Sequence, residues 1–172
     1  MKLFTILSFA WLCFLAGETT YDLKEGGISI DLANDAWSLD TKQNQSGTIV
    51  YWFKRQPVED SQGRQVIPNI AVLIEEVGDD VDVVTYTAMK RSRVAFDVQE
   101  VFTHEGGRMT FKNAIGYKGT YTDRGGLDHT VYIVHGLNEG KGLQVICDTT
   151  TDILDRLDDE FLLTLKSIRL SN

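Results

Sequence analysis

Short clusters of turn-forming residues cut this chain into stretches of β-branched and aromatic side chains, and their spacing restricts its topology more than any other feature. The clusters are Gly26-Gly27, Asp60-Ser61-Gln62-Gly63, Glu105-Gly106-Gly107, Asp123-Arg124-Gly125-Gly126 and Asn138-Glu139-Gly140. Strand-like runs occupy 47–56, 66–77, 98–103, 108–121, 130–136 and 142–148. Connections of a few residues join strands antiparallel, because a parallel crossover needs about a dozen residues or more. A mostly antiparallel sheet is therefore expected.

Alternation shows how that sheet is covered. In 130–136, Val131, Ile133 and His135 share one face while Tyr132 and Val134 share the other. Both faces are largely apolar, which marks a central strand packed on both sides. Leu143, Val145 and Cys147 form a similar face in the next run. Two segments have the helical period instead. In 149–165, Ile153, Leu154, Leu157, Phe161 and Leu165 make one apolar stripe, with Thr149 and Asp152 resembling a capping box. In 79–93, Asp79 or Asp80 is the expected cap, Val81, Val84, Ala88 and Met89 form the stripe, and Lys90, Arg91 and Arg93 suit the helix end. The expected fold class is α+β: an antiparallel sheet with a helix on each face.

Residues 1–17 read as an address. Met1-Lys2 is basic, and 3–16 is uncharged and mostly apolar. A run of about 14 residues suits a secretory signal, whereas a membrane span needs about 20. Cleavage after Gly17 is expected, placing the protein in the periplasm or outside the cell, with no transmembrane span in the mature chain. Cys13 is a poor lipid-attachment site, because bulky Trp11-Leu12 precedes it. Residues 18–172 then form a single domain. Cys147 is their only thiol, so no internal disulfide is available and burial must hold the fold.

The order of elements resembles the PsbP-like superfamily, which includes PsbP, DcrB-like envelope proteins and Mog-type Ran-binding proteins. The resemblance rests on Ile67-Pro68-Asn69-Ile70-Ala71-Val72 followed by an acid-started helix, and on the strand around 130–135. It rests also on the closing run Phe161-Leu162-Leu163-Thr164-Leu165-Lys166-Ser167-Ile168. It covers roughly residues 30–172 and implies an α/β/α sandwich. It carries over no catalytic or binding residue. Such proteins are generally non-enzymatic, so it implies a binding or assembly role.

The residues themselves offer few sites. Net charge is −8, which repels phosphate backbones and anionic headgroups and argues against a nucleic-acid partner. Cys147 with His135 or His129 is the one nucleophile–base pairing available, but an apolar strand keeps a thiol inert. There is no G-x-S-x-G elbow. Glu105, Asp128 and His129 are the candidate metal ligands, although no zinc-type spacing is present. The glycine-rich 136–142 stretch joins two strands, not a strand to a helix, so it lacks a phosphate-binding geometry. No cofactor is implied. Trp37, Tyr51 and Phe53 either line a ligand groove or pack in the core, and Lys90, Arg91 and Arg93 are either a solvated helix end or a dock for an acidic partner. Asn44-Gln45-Ser46 is a glycosylation sequon, relevant only in a eukaryotic host. The expected function is an exported, non-enzymatic domain that binds an envelope or extracellular protein. The alternatives are a carrier of a small apolar ligand or lipid between sheet and helix, and an enzyme using Asp128 and His129.

Overall fold

A computed structural model describes residues 19–92 and 95–171. The elements in chain order are β1 (Thr19–Leu23), β2 (Ile28–Leu32), β3 (Trp37–Gln45), β4 (Thr48–Arg55), β5 (Val58–Glu59), β6 (Gln65–Val66) and β7 (Asn69–Glu76). There follow α1 (Val83–Arg91), β8 (Asp97–Phe102), β9 (Ala114–Thr122), β10 (Asp128–Asn138), β11 (Lys141–Thr150), α2 (Asp158–Ser167) and β12 (Arg169–Leu170). Seven strands form one sheet in the order β3-β4-β7-β11-β10-β9-β8, and every pairing in it is antiparallel. A smaller antiparallel sheet runs β1-β2-β12.

Two hairpins are set by left-handed backbone. Glu139 and Gly140 (φ 46° and 74°) join β10 to β11, and Ser46 and Gly47 (φ 53° and 89°) join β3 to β4. Positive φ at both central residues is the hairpin geometry that matches the strand twist.

The two faces of the large sheet are covered unequally. One carries Phe53, Ile70, Val72, Tyr132, Val134, Val145 and Cys147, packed against Leu23, Ile28, Ile30 and Leu32 of the small sheet and Phe161 and Leu165 of α2. The other carries Val131 and Ile133, which pack with Phe96 in a separate, smaller cluster. α1 lies over this second face, where Tyr86 meets His135 edge-on at 6.1 Å. The antiparallel sheet flanked by helices is thus present.

Details of the helices differ from expectation. The 149–165 segment is not one helix: β11 runs to Thr150, Thr151–Arg156 is a 3-10 turn, and α2 begins only at Asp158 after Leu157 leaves helical geometry (φ −123°). Thr149 caps nothing, and Asp152 instead accepts from Thr150 Oγ1 (2.8 Å) and from the Ser61 amide (3.1 Å). Ile153, Leu157, Phe161 and Leu165 are nevertheless all buried, because turn and helix together keep the stripe on one side. The cap of α1 is Asp82, which accepts from the Thr85 amide at 2.7 Å, not Asp79 or Asp80. Its buried side is Tyr86 and Thr87, while Val84 (64% exposed) and Met89 face solvent. Tyr86 buries an aromatic body and satisfies its hydroxyl on Glu75 Oε1 (2.7 Å), which a count of aliphatic residues overlooks.

Candidate functional site

Strand alternation and register assemble a cleft under α1. On β10, Val131, Ile133 and His135 point to the second face. Their β11 partners Asp148, Ile146 and Gln144 point the same way. Lys90 and Arg91 from the end of α1, Tyr121 from β9, and Ala95 and Phe96 complete the walls. The volume is about 190 Å³ and the lining is mainly apolar.

His135 is the informative group. It is 2% exposed, and its Nδ1 is buried without a hydrogen-bond partner. Rings surround it: Tyr86 from α1 and Tyr117 from β9, both edge-on near 6 Å. Burial, reinforced by the Lys90 and Arg91 charges and opposed by Glu75, lowers its pKa to about 4. The imidazole is therefore neutral at physiological pH.

The cationic end is held in place by contacts on several elements. Lys90 pairs with Glu75 and lies 5.4 Å from the Tyr86 ring centre. Arg91 stacks 4.2 Å over Phe96 and donates from Nη2 to the Phe96 carbonyl (3.2 Å). Burial and the Glu75 carboxylate push the Tyr86 hydroxyl far above its ordinary range, so it remains a donor. Asp148, opposite Val131, accepts from Tyr121 Oη (2.5 Å), and His129 Nδ1 lies 2.7 Å from its Oδ1. His129 stacks on Tyr121 at 4.9 Å, with Nε2 3.7 Å from Asp123.

The candidate residues from the sequence are distributed differently. Lys90 and Arg91 border the cleft, and Arg93 lies outside the described residues, as do the address segment 1–17 and Cys13. Trp37, Tyr51 and Phe53 are buried on the opposite face of the sheet and border no part of this cleft. Trp37 donates from Nε1 to Glu160 Oε2 (2.7 Å), which Arg55 also grips through two bonds of 2.9 Å. Tyr51 donates to Glu25, and Lys42 pairs with the same carboxylate. The Lys42 contact, then the Tyr51 bond, bring Glu25 down to about 2. Trp52 (42% exposed) alternates to the other side.

Glu105, Asp128 and His129 are not gathered into a metal site. Among the described residues no group of three or more His, Cys, Asp or Glu side chains is arranged to hold an ion. Adjacent strand residues point to opposite faces. His129 turns to Asp148, while Asp128 accepts from Thr122 Oγ1 (2.8 Å). Glu105 is exposed on the 3-10 turn His104–Gly106. Cys147 is fully buried, and burial drives its thiol well upward, so it is a core residue rather than a nucleophile.

The sequence places His135 on one face with Val131 and Ile133; the structure buries it there and leaves Nδ1 unpaired. Asp148, Tyr121 and Gln144 draw no attention in the sequence. The register of β10 on β11 is what places them beside His135.

A wider depression of about 500 Å³ opens near β12, bordered by Phe111, Leu137 and Leu170 among others. None of the buried unpaired polar atoms among the described residues belongs to its walls. No helix among the described residues is long and apolar enough to cross a membrane.

No family model matches the sequence, and no curated protein matches it. Solved structures match the fold. The Ran-binding protein Mog1p of Saccharomyces cerevisiae superposes with TM-score 0.55 at 8% identity, covering 91% of this chain and 97% of its own. The cyanobacterial PsbP of Synechocystis gives 0.52 at 15% identity, covering 95% and 98%. LpqN of Mycobacterium tuberculosis, involved in cell envelope biogenesis, gives 0.55 at 21% identity, covering 92% of each chain. A Bacteroides thetaiotaomicron protein gives 0.52 at 5% identity over 92% of this chain, which spans half of that longer protein. These likenesses establish a PsbP-like fold.

Proposed function

We propose that this chain, PsbP-like in fold, is an exported, non-enzymatic binding domain of the cell envelope whose ligand is a small molecule with an apolar body, seated under α1. The observation that carries the reading is His135: its Nδ1 is a buried polar atom with no protein partner, and the residue lines a mainly apolar cleft. Native proteins pair nearly all such atoms, so each exception calls for an occupant or a function. A small apolar volume with one or two convergent polar groups is the usual form of a ligand site. Export rests on the sequence of residues 1–17, and the absence of chemistry on the inert Cys147 thiol.

Native mass spectrometry of protein isolated gently from its own cells tests both parts. The expected species is residues 18–172 carrying a small-molecule adduct. The adduct should vanish in Ala95→Trp, which fills the cleft from its exposed rim. A mass retaining residues 1–17 overturns cleavage, and an adduct that survives Ala95→Trp overturns the site.

A second reading, a protein partner, has its own observation. β8 is an edge of the large sheet, and its Val98 and Val101 (58% exposed) present apolar side chains to solvent. Strand addition at a sheet edge is one way such a strand takes up a partner, here confined by the irregularity between Val98 and Glu100 to part of its length. Mog1p binds Ran and LpqN serves envelope biogenesis, so binding roles occur on this fold. Val101→Lys should abolish cross-linking to an envelope protein; unchanged cross-linking excludes this edge.

A further inference from the structure

The charged groups around the cleft under α1 are already engaged by the protein. Among the described residues that line it, Lys90, Arg91 and Asp148 carry charge. Lys90 pairs with Glu75. Arg91 lies 4.2 Å over the Phe96 ring and donates to the Phe96 carbonyl at 3.2 Å. Asp148 has one oxygen on Tyr121 Oη (2.5 Å) and the other beside His129 Nδ1 (2.7 Å). The Gln144 side chain is hydrogen-bonded to the Tyr86 hydroxyl. His135 offers no bond either. Its Nδ1 is beneath the surface, with the Tyr86 and Tyr117 rings edge-on near 6 Å, so a molecule in the cleft covers the residue without reaching that atom. What is left to a ligand is apolar: Ala95, Phe96, Val131, Ile133 and Ile146.

Resting on the small-ligand reading above, we infer that the ligand is an uncharged molecule about the size of one substituted ring, bound through its apolar surface and selected by shape rather than by a polar head. Three arguments select this class. A charged head has to break one of the existing pairs, which strands the protein's own partner charge, or be buried with no partner at all; both are costly. An apolar body meets neither cost and gains about 25 cal/mol for each Å² it removes from water. The walls are also fixed before it arrives, because Arg91 holds the Phe96 ring and His129 stacks on Tyr121 at 4.9 Å, so little ordering opposes binding. Size then sets the limit: a dry cavity of about 150 Å³ accommodates benzene, and this one is about 190 Å³. A second ring exceeds it.

The test uses the full chain purified from its host and three probes that share one ring and differ in charge: toluene, benzoate and benzylamine. Binding is followed by amide shifts of residues 131–135. Toluene is expected to bind at least about tenfold more tightly than either ion, the least that burying an unpaired charge should cost. Ethylbenzene should gain about fourfold over toluene, the worth of one further buried CH₂, and biphenyl should leave residues 131–135 unmoved. Ala95→Trp, which fills the cleft from its rim, should abolish the toluene shifts. Benzoate or benzylamine binding as tightly as toluene overturns the uncharged class and leaves the cleft as a ligand site. Biphenyl binding as tightly as toluene overturns the size limit on the same terms. If no probe moves residues 131–135, or if the toluene shifts survive Ala95→Trp, the cleft reading and this inference both fall.

Discussion

A histidine kept neutral inside a fold lowers stability only over the pH range where the unfolded chain would take up its proton. For His135 the folded value is about 4, against an ordinary value of 6.5. Lys90 and Arg91 from α1 and Glu75 from β7 supply the nearby charges, with the Tyr86 and Tyr117 rings and Gln144 completing the surroundings. Above about pH 6.5 neither state binds the proton, and its stabilising contribution is complete. As pH falls from 6.5 towards 4 the unfolded chain protonates first, so stability declines, by roughly 3 kcal/mol for a shift of this size. Urea titrations of wild type and His135→Gln at pH 7.5, 6, 5 and 4.5 check this. The difference between them should fall steadily on acidification, and a constant difference would show that the fold does not lower the His135 pKa. At this scale the sequence reveals the face shared by Val131, Ile133 and His135. It cannot reveal that Nδ1 lacks a partner, because that depends on what β9, β11 and α1 bring within reach.

α1 is seated by a glycine. A Cβ on Gly142 would lie 2.6 Å from the Tyr86 ring, and Tyr86 is itself fixed by burial and by Glu75. Gly142→Ala should therefore lift α1 from the sheet, at a cost of about 1–3 kcal/mol by analogy with other overpacked sites. Lys90 lies one turn beyond Tyr86 on the same helix, so the variant should also displace the wall that α1 gives the cleft. Amide exchange supplies the element-level readout: faster exchange across 83–91 with 143–147 unchanged is expected, and uniform loss of protection would mean that α1 is not a separable layer. The strands most readily legible in the sequence are the ones buried on both faces. β10 and β11 announce themselves by apolar alternation, whereas β3 (Trp37–Gln45) does not, since it is a polar edge strand exposed after Trp37. β1 and β2 are also missed, although they pair with each other across Gly26-Gly27 and β2 alternates Ile28, Ile30 and Leu32 with polar residues; they are only five residues each, and β12, which pairs with β2, comes from the far end of the chain. The 3-10 turn at Thr151–Arg156 is hidden because it preserves the helical stripe while changing the backbone.

Across the whole molecule the two layers differ in thickness, and this links stability to function. The face under α2 and the small sheet is the main core, built without a disulfide around β11, and Cys147 lies in it with no exposed surface. The other face has a thin cover of α1 and Phe96 over a cleft. A ligand bound in that cleft stabilises only states in which α1 is docked, by RT ln(1 + [L]/Kd). Cys147 provides a probe of the opposite layer, because its β11 strand is paired on both sides by β7 and β10. In Cys13→Ser, or in a chain cleaved after Gly17, it is the sole thiol. Its reaction with an aromatic disulfide reagent in native buffer should then proceed only through global unfolding, giving the same free energy as urea denaturation. A lower value would show that β11 opens locally and that the two faces are not independent. With a small molecule bound in the cleft at one hundred times its Kd, both the labelling and urea free energies should rise together by about 2.7 kcal/mol. Exchange across α1 should slow by up to about a hundredfold wherever it depends on undocking. A probe that slowed α1 exchange without changing Cys147 labelling would have to bind a globally unfolded chain equally well, so that outcome would exclude this folded cleft as its site.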